Sequence, residues 1–234
     1  MGDALAPADR EEQGSRVVSE LVTLIERRQY LPGERLPSER DLAERFSVGR
    51  GVIREALTVL ESMRYLERRP NSGLFLCRRP DATSLEALVL FSDLGLPLER
   101  KVVSQCIEVR RLIEVQATRL ACVRRTDSDL KELRATHEEF HASIDDSAKV
   151  ADLDYEFHMG IFRATHNDVL VRLVTPFYIM SRHRRAAFFA EKTRCQTSHI
   201  HHAKLVQAIE NRDEAAAESV MAAHIGRVEE YFHV

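Results

Sequence analysis

One aspartate and three histidines are the residues of this chain best suited to chemistry. Asp154 and His158 stand four positions apart in DYEFH, so both project from one side of a helix. His202 and His224 each fall on an apolar helical face further along the chain. A buried carboxylate costs several kcal/mol unless it is paired. A divalent cation bound by one carboxylate and three neutral imidazoles would remove that cost, so the pattern predicts a metal site.

The sequence alone leaves open one other interpretation of these histidines and the choice between His202 and its neighbours. A single histidine on an apolar face is most often a core residue that is hydrogen-bonded to a carbonyl, although three of them beside an aspartate are harder to explain in that way. His199 and His201 neighbour His202, and the helical register favours His202 only modestly.

A second set of residues has the spacing needed to bind DNA. Arg40, Arg50 and Arg54 lie in LPSERDLAERFSVGRGVIREAL, where two short helices joined by a tight turn would present them to one groove. Arginine grips guanine O6 and N7 through two hydrogen bonds. Ser72 and Gly73 fall at the tip of a basic hairpin, where small side chains permit close approach to the DNA backbone or minor groove.

Two polar residues of the C-terminal half have alternative roles. Arg110 lies on the inner face of a long helix, one turn before Glu114, so it either pairs with that carboxylate or faces a ligand. Asn167, in THN, either caps a helix or hydrogen-bonds in a pocket, and the cap is the preferred interpretation.

Apolar periodicity predicts the elements that position these residues. The N-terminal part reads as helices over 16–29, 38–45 and 50–63, followed by strands over 65–69 and 74–77. Ser38 and Asp41 would cap the second helix, and the whole is a winged helix-turn-helix. After a linker at 79–84, every long segment has helical period, with predicted helices over 83–94, 98–124, 127–145, 148–166, 167–190, 194–210 and 213–232.

The predicted fold is therefore mainly α: an N-terminal winged helix-turn-helix plus a C-terminal all-α helical bundle. The predicted division is a disordered arm at 1–14, the DNA-binding domain at 15–78, the linker at 79–84 and the bundle at 85–234. Asn211 is expected to take a left-handed cap and Asp213 to start the last helix.

Composition agrees with that division. Between residues 27 and 79 there are 12 Arg and 7 Asp or Glu, a balance of +5 in a chain whose net charge is −3. A basic module joined to an acidic one is typical of nucleic-acid binding at one end. No apolar run approaches the ~20 residues of a membrane span. The polar N-terminus and the scattered cysteines (Cys77, Cys106, Cys122 and Cys195) predict reduced thiols in a cytoplasm.

The N-terminal motif resembles the signature of the GntR family of bacterial regulators, LPSER-x-LA-x-x-F-x-V-x-R-x-x-x-REAL. Gly49 departs from it, because relatives usually carry Ser or Thr there, so the operator sequence should not be copied from them. The resemblance implies that the DNA-contacting positions are Arg40, Gly49, Arg50, Gly51, Arg54 and the Gly73 wing.

The segments DYEFHMGIFRATHN and HAKLVQAIENRDEAAAESVMAAH resemble the FCD ligand-binding domain of the FadR-type branch of that family. The resemblance implies that Arg110 faces an effector pocket. It also implies the metal ligands Asp154, His158, His202 and His224, which resolves the ambiguity among the neighbouring histidines.

Together these features predict a homodimeric, metal-containing transcriptional repressor that binds double-stranded, pseudo-palindromic operator DNA. A small organic acid would coordinate the metal and meet Arg110, and the bundle would then release DNA. Zinc is the first candidate metal, with nickel, manganese and iron as alternatives. Two rival hypotheses are a purely structural metal and a metal-dependent hydrolase. The second has Glu156 as its nearest candidate base, on the wrong side of the helix.

Overall fold

The computed structural model describes residues 7–232. The chain divides into two compact units, Met1–Pro97 and Leu98–Val234. The predicted mainly α architecture is confirmed. Most of the predicted disordered arm is helical, because the first helix begins at Pro7, a residue well suited to a first helical position. Residues 1–6 of that arm lie outside the described residues.

The N-terminal unit is a three-helix module with a β-hairpin and a fourth helix. Helix α1 buries Val17, Leu21 and Ile25, which belong to the same core as Ile53 and Leu57 of α3. The elements are α1 (Pro7–Arg28), α2 (Glu39–Phe46), α3 (Arg50–Ser62), β1 (Leu66–Arg69), β2 (Gly73–Leu76), a short 3-10 helix (Pro80–Ala82) and α4 (Leu85–Asp93).

Local polar chemistry sets the turn between α2 and α3. Ser38 and Asp41 form a reciprocal capping box at the start of α2, which confirms the predicted cap. Ser47 adopts a left-handed conformation with φ of 53° and ends the helix. Gly49 then caps α3 through its extended backbone, without a side-chain hydrogen bond. Gly49 lacks the hydroxyl of the Ser or Thr that relatives usually carry there, but this does not prevent α3 from starting at Arg50.

The wing is an antiparallel hairpin in which Leu66 pairs with Leu76 and Arg69 with Gly73. Gly73 has φ of 108°, which favours glycine, and a Cβ there would lie 3.1 Å from the Arg35 Nε. Arg35 also forms an isolated antiparallel bridge to Phe75, so the segment before α2 lines the hairpin. These contacts hold the wing against the helical module.

Helix α4 packs with the N-terminal unit, although the sequence assigned it to the bundle from residue 85. Phe91 meets Tyr65 edge-on with ring centroids 4.9 Å apart, and Leu90 and Leu94 pack against the same core. The apolar face of α4 therefore completes the core of the winged module, and the boundary falls at Pro97. The predicted linker at 79–84 contains the 3-10 helix.

The C-terminal unit is a bundle in which α11 packs along α5, α10 along α11, and α6 against α7. No strand occurs in the part of this unit that the structure describes, up to residue 232. Its helices are α5 (Arg100–Arg124), α6 (Asp127–Ala142), α7 (Ser147–Arg163), α8 (Asp168–Met180), α9 (Arg182–Phe189), α10 (Lys192–Glu210) and α11 (Glu214–Phe232).

Two local predictions in the bundle were wrong. The helix predicted over 167–190 is two helices that break at Ser181, where the hydroxyl donates to the Tyr178 carbonyl and Arg185 donates to that same carbonyl. Before α11, Arg212 and not Asn211 takes the left-handed conformation, with φ of 56°. The Arg212 guanidinium donates to the Cys122 and Val123 carbonyls, and these bonds stabilise the unusual backbone.

Candidate functional site

Four side chains from three helices converge in the core of the bundle. Asp154 and His158 come from α7, His202 from α10 and His224 from α11, and one ligand atom from each lies within 4.8 Å of the others. His158 Nε2 is 3.1 Å from His224 Nε2, and Asp154 Oδ1 is 3.4 Å from His202 Nε2. All four residues are buried.

The neighbouring histidines take no part in this cluster. His199 stacks on His137 with ring centroids 4.3 Å apart and also on His141. His201 is only partly buried. The structure therefore brings His202 to the cluster, the position that the family resemblance indicated.

The donor set fits a divalent cation. Neither ring nitrogen of the fully buried His202 makes a hydrogen bond within the described chain, and Asp154 Oδ1 likewise has no donor. Such orphaned buried groups cost about 1–3 kcal/mol each. One carboxylate oxygen and three imidazole nitrogens facing a common point would satisfy them by coordination.

A second layer, which the sequence analysis missed, supports His158. Glu114 of α5 is 1% exposed, and its Oε2 lies 2.5 Å from His158 Nδ1. This ion pair favours a proton on Nδ1 and leaves Nε2 directed at the cluster. Glu114 also pairs with Arg110 and accepts from the Tyr178 hydroxyl at 2.8 Å. This glutamate therefore fixes the orientation of a candidate ligand.

The buried charges around Glu114 lie next to charges of opposite sign. Burial alone would raise the pKa of Glu114, but Arg110 and His158 outweigh it and lower that pKa to about 2. The pKa of His158 is raised to about 9, because the negative charges of Glu114 and Asp154 outweigh the lowering that burial would cause. Burial lowers the pKa of His202 to about 4. At neutral pH two carboxylates thus face one guanidinium and one imidazolium, while His202 is neutral.

Helix packing brings α7 into position. Asp146 caps its first turn by accepting from the Lys149 amide at 3.1 Å. Two residues after His158, a Cβ at Gly160 would lie 2.9 Å from Leu133 Cδ2 on α6. Glycine therefore allows α6 and α7 to approach closely.

The two residues predicted to bind an effector have different surroundings. Arg110 both pairs with Glu114, one of the two alternatives, and lines a cleft beside the cluster. Asn167 caps α8, because its side-chain oxygen accepts from the Val169 and Leu170 amides. Asn167 is not part of that cleft lining, so the structure favours the cap, the preferred of the two interpretations.

The predicted DNA-binding residues lie at the start of α3 and beside it. Arg40, Gly49 and Arg50 line one shallow, open depression with Ser47. Gly51 and Arg54 follow on the exposed face of α3, and Ser72 and Gly73 are exposed at the wing.

A carboxylate connects the elements of this surface. Glu39 of α2 pairs with Arg54 Nε at 2.8 Å and with Arg68 Nη1 of the wing at 3.0 Å. Arg68 also pairs with Glu61 of α3 at 2.9 Å. By contrast, no carboxylate of residues 13–79 or 81–232 lies within 4.0 Å of the Arg50 guanidinium.

Comparison with known families follows the two units. The profile of bacterial regulatory proteins of the gntR family matches residues 13–76, and that of the FCD domain matches residues 105–227. The chain belongs to the GntR family. Its helix-turn-helix binds DNA, and the FCD domain places it with the FadR-type regulators.

Individual relatives agree with this assignment. LutR of Bacillus subtilis strain 168 is 28% identical over 212 residues, covering 88% of this chain and 95% of LutR. The galactonate operon transcriptional repressor of Escherichia coli K12 is 31% identical, covering 87% of this chain and 89% of the repressor. The structure of Streptococcus agalactiae GntR is 27% identical with a TM-score of 0.50, covering 93% of this chain and 99% of that one.

These relatives are transcriptional regulators, and this GntR-family member is a regulator and not an enzyme. Glu156, the candidate base of the hydrolase hypothesis, is exposed and receives a hydrogen bond from Arg163 at 3.4 Å, away from the buried cluster. Across residues 7–232, no helix combines the length and apolar character needed to cross a bilayer.

Proposed function

We propose that this GntR-family protein is a homodimeric repressor whose operator affinity is controlled by a small carboxylic acid at a metal site in the bundle. The observation that carries the proposal is the Asp154–His158–His202–His224 cluster, two of whose members line a cleft that also contains arginines. The related galactonate operon transcriptional repressor supports repression as the mode of control. The protein would act in the cytoplasm, where bacterial DNA lies.

The cluster would hold one divalent ion, with zinc as the first candidate because three nitrogens and one oxygen suit it. When bound, the ion adds positive charge beside the cleft that Asp154 and His224 line, which favours an anionic ligand there. Nickel, manganese and iron accept the same donors, so the metal that is bound in cells also depends on availability.

Exposed apolar side chains support a homodimer through the bundle. Leu112 of α5 is 63% exposed and Val169 of α8 is 70% exposed, with Val109 and Leu173 also exposed on the same two helices. Apolar residues concentrated on adjacent helices are typical of protein interfaces. A two-fold dimer would match a pseudo-palindromic operator.

The operator contacts are proposed to be Arg40, Gly49, Arg50, Gly51 and Arg54 at the groove, with Ser72 and Gly73 at the wing. The first turn of the second helix of a helix-turn-helix enters the major groove, and Arg50 is the first residue of α3.

An electrophoretic mobility shift tests the whole proposal. Zinc-loaded protein is bound to a fragment carrying its own promoter, and candidate acids are added. We expect at least one acid to release the DNA, and we expect zinc-free protein not to respond to it. If no acid changes operator affinity while zinc is bound, the protein is not an acid-controlled repressor.

A purely structural metal is the second candidate, and the complete burial of His158 and His202 favours it. Four protein ligands fill a tetrahedral zinc site, so an effector would need a five- or six-coordinate ion. A chelator that lowers the melting temperature but leaves acid-dependent DNA release intact would establish the structural role.

A further inference from the structure

The cleft beside the cluster contains more positive charge than its own carboxylates neutralise. It is partly open to solvent, and Asp154 and His224 line it together with Arg110, Arg184 and Arg185. Of the described residues that line the cleft, Asp154 alone carries a carboxylate, whereas three carry guanidinium groups.

Arg110 already has its partners. It pairs with Glu114, donates to the Tyr178 hydroxyl at 2.9 Å and lies over the Tyr178 ring at 4.2 Å. A ligand carboxylate would have to compete with a buried glutamate for this guanidinium. Arg110 is therefore poorly placed to be the main anion-binding group of the cleft.

Arg185 is held by neutral oxygens. Its Nε donates to the Ala151 carbonyl at 2.8 Å and its Nη1 to the Tyr178 carbonyl at 3.2 Å, while its side chain is buried. These bonds fix the guanidinium without neutralising its charge. The positive charge of Arg185 thus stays directed at the cleft region.

Arg184 is the arginine of the cleft with room for a ligand. Partial burial lowers its pKa, and no carboxylate of the described chain lies within 4.0 Å of it. A desolvated guanidinium gains most from a carboxylate, which accepts two parallel hydrogen bonds from it.

The rest of the lining offers little to a polyhydroxylated molecule. Ser181 and Ser198 provide its hydroxyls, and both already bond to protein, Ser181 to Tyr178 and Arg185, and Ser198 to Arg227 at 3.1 Å. Burying ligand hydroxyls without partners costs about 1–3 kcal/mol each. The apolar lining consists of Ile107, Phe177, Phe188, Phe189, Val228 and Phe232.

We propose that the cleft binds an apolar monocarboxylic acid, aromatic or branched aliphatic, whose carboxylate pairs with Arg184 and whose tail lies among the phenylalanines. This inference rests on the proposed effector control and names the chemical class of the effector. It assigns the specificity-determining contact to Arg184 of α9 and not to Arg110.

Calorimetric titration of the full-length zinc-loaded protein tests the ligand class. The probes are phenylacetate, 3-methylbutyrate, phenylacetamide and galactonate. We expect the two apolar acids to bind, and phenylacetamide to bind about tenfold or more weakly than phenylacetate, because it lacks the charge that Arg184 recognises. Galactonate should also bind more weakly than phenylacetate. Tighter binding of galactonate, or equal binding of the amide, would overturn the proposal.

Matched variants test the two ends of the cleft. Arg184→Gln should weaken phenylacetate binding about tenfold or more, whereas Arg182→Gln, an exposed neighbour on the same helix, should not. Phe177→Asn should weaken the apolar acids, with the exposed Ile179→Asn as its control. Circular dichroism verifies that each variant is folded. Unchanged binding in folded Arg184→Gln and Phe177→Asn proteins would contradict both assignments.

Operator release in the same proteins separates this inference from the proposed function. If apolar acids bind through Arg184 but do not change operator affinity, the ligand class holds and effector control fails. If galactonate releases DNA equally from the wild type and Arg184→Gln, effector control holds and the ligand class fails. If no probe binds, the inference is overturned.

Discussion

Replacing Glu114 with glutamine should destabilise the bundle strongly, although the side chain keeps its shape. The substitution removes the carboxylate that neutralises Arg110 and faces His158 Nδ1. The pKa of Glu114 falls from 4.5 to about 2 in the folded chain, which corresponds to about 3 kcal/mol of stabilisation. Removing one partner of a buried ion pair costs about 3–5 kcal/mol, in agreement with that value.

Scanning calorimetry of zinc-free protein measures this effect. A loss of about 3 kcal/mol should lower the melting temperature of the bundle by about 10 °C. Glu108→Gln, an exposed position on the same helix, should change it by no more than a degree or two, since surface substitutions usually stay within about 0.5 kcal/mol. If both variants melt at the same temperature, Glu114 does not anchor the buried charges.

The comparison of wild type with Glu114→Gln also predicts how the stability difference between them depends on pH. Because folding depresses the pKa of Glu114, its stabilisation is present above about pH 4.5 and is lost as the pH falls towards about 2. The difference in the free energy of unfolding between wild type and Glu114→Gln should therefore become smaller in acid. A difference that grows as the pH falls from 5 to 3 would refute this account of Glu114.

Three further results are expected. Arg50→Ala should weaken specific operator binding by about 1–3 kcal/mol in a fluorescence anisotropy titration, whereas Arg64→Ala should have little effect; equal losses would remove Arg50 from the groove. Zinc binding at pH 7.5 should release about one proton, seen as a buffer-dependent heat, because the pKa of His158 is about 9 and the ion must displace its Nε2 proton. Leu112→Glu should convert a dimer to a monomer in light scattering, whereas Ile200→Glu should not; an unchanged mass for Leu112→Glu would place the interface elsewhere.

The bundle helices could be predicted because apolar periodicity reports burial directly. Asp154 and His158 are one turn apart, so the sequence shows that they share a face, and family resemblance supplied His202. Glu114 lies on a different helix and reads as an ion-pair partner of Arg110. Its contact with His158 depends on how α5 packs against α7, which no local pattern contains.

Two structural errors share a physical origin in interactions that are not local. The break at Ser181 follows from side-chain bonds to the Tyr178 carbonyl, and these compete with the helical backbone without changing the apolar period. The apolar residues of α4 would suit either core, and only their contacts in the folded chain, such as that of Phe91 with Tyr65, show that the N-terminal core receives them. The arginines of α9 were missed as cleft residues because they look like a solvated basic run.

The bridge from Glu39 to Arg54 has a consequence for ionic strength. Each arginine that neutralises a phosphate releases condensed counterions, and this steepens the decline of affinity with added salt. In the proposed complex, a phosphate at Arg54 replaces the Glu39 carboxylate that already pairs with this arginine in the free protein. The logarithmic salt slope should therefore be smaller than the number of arginines at the interface suggests, and Glu39→Gln should make it steeper.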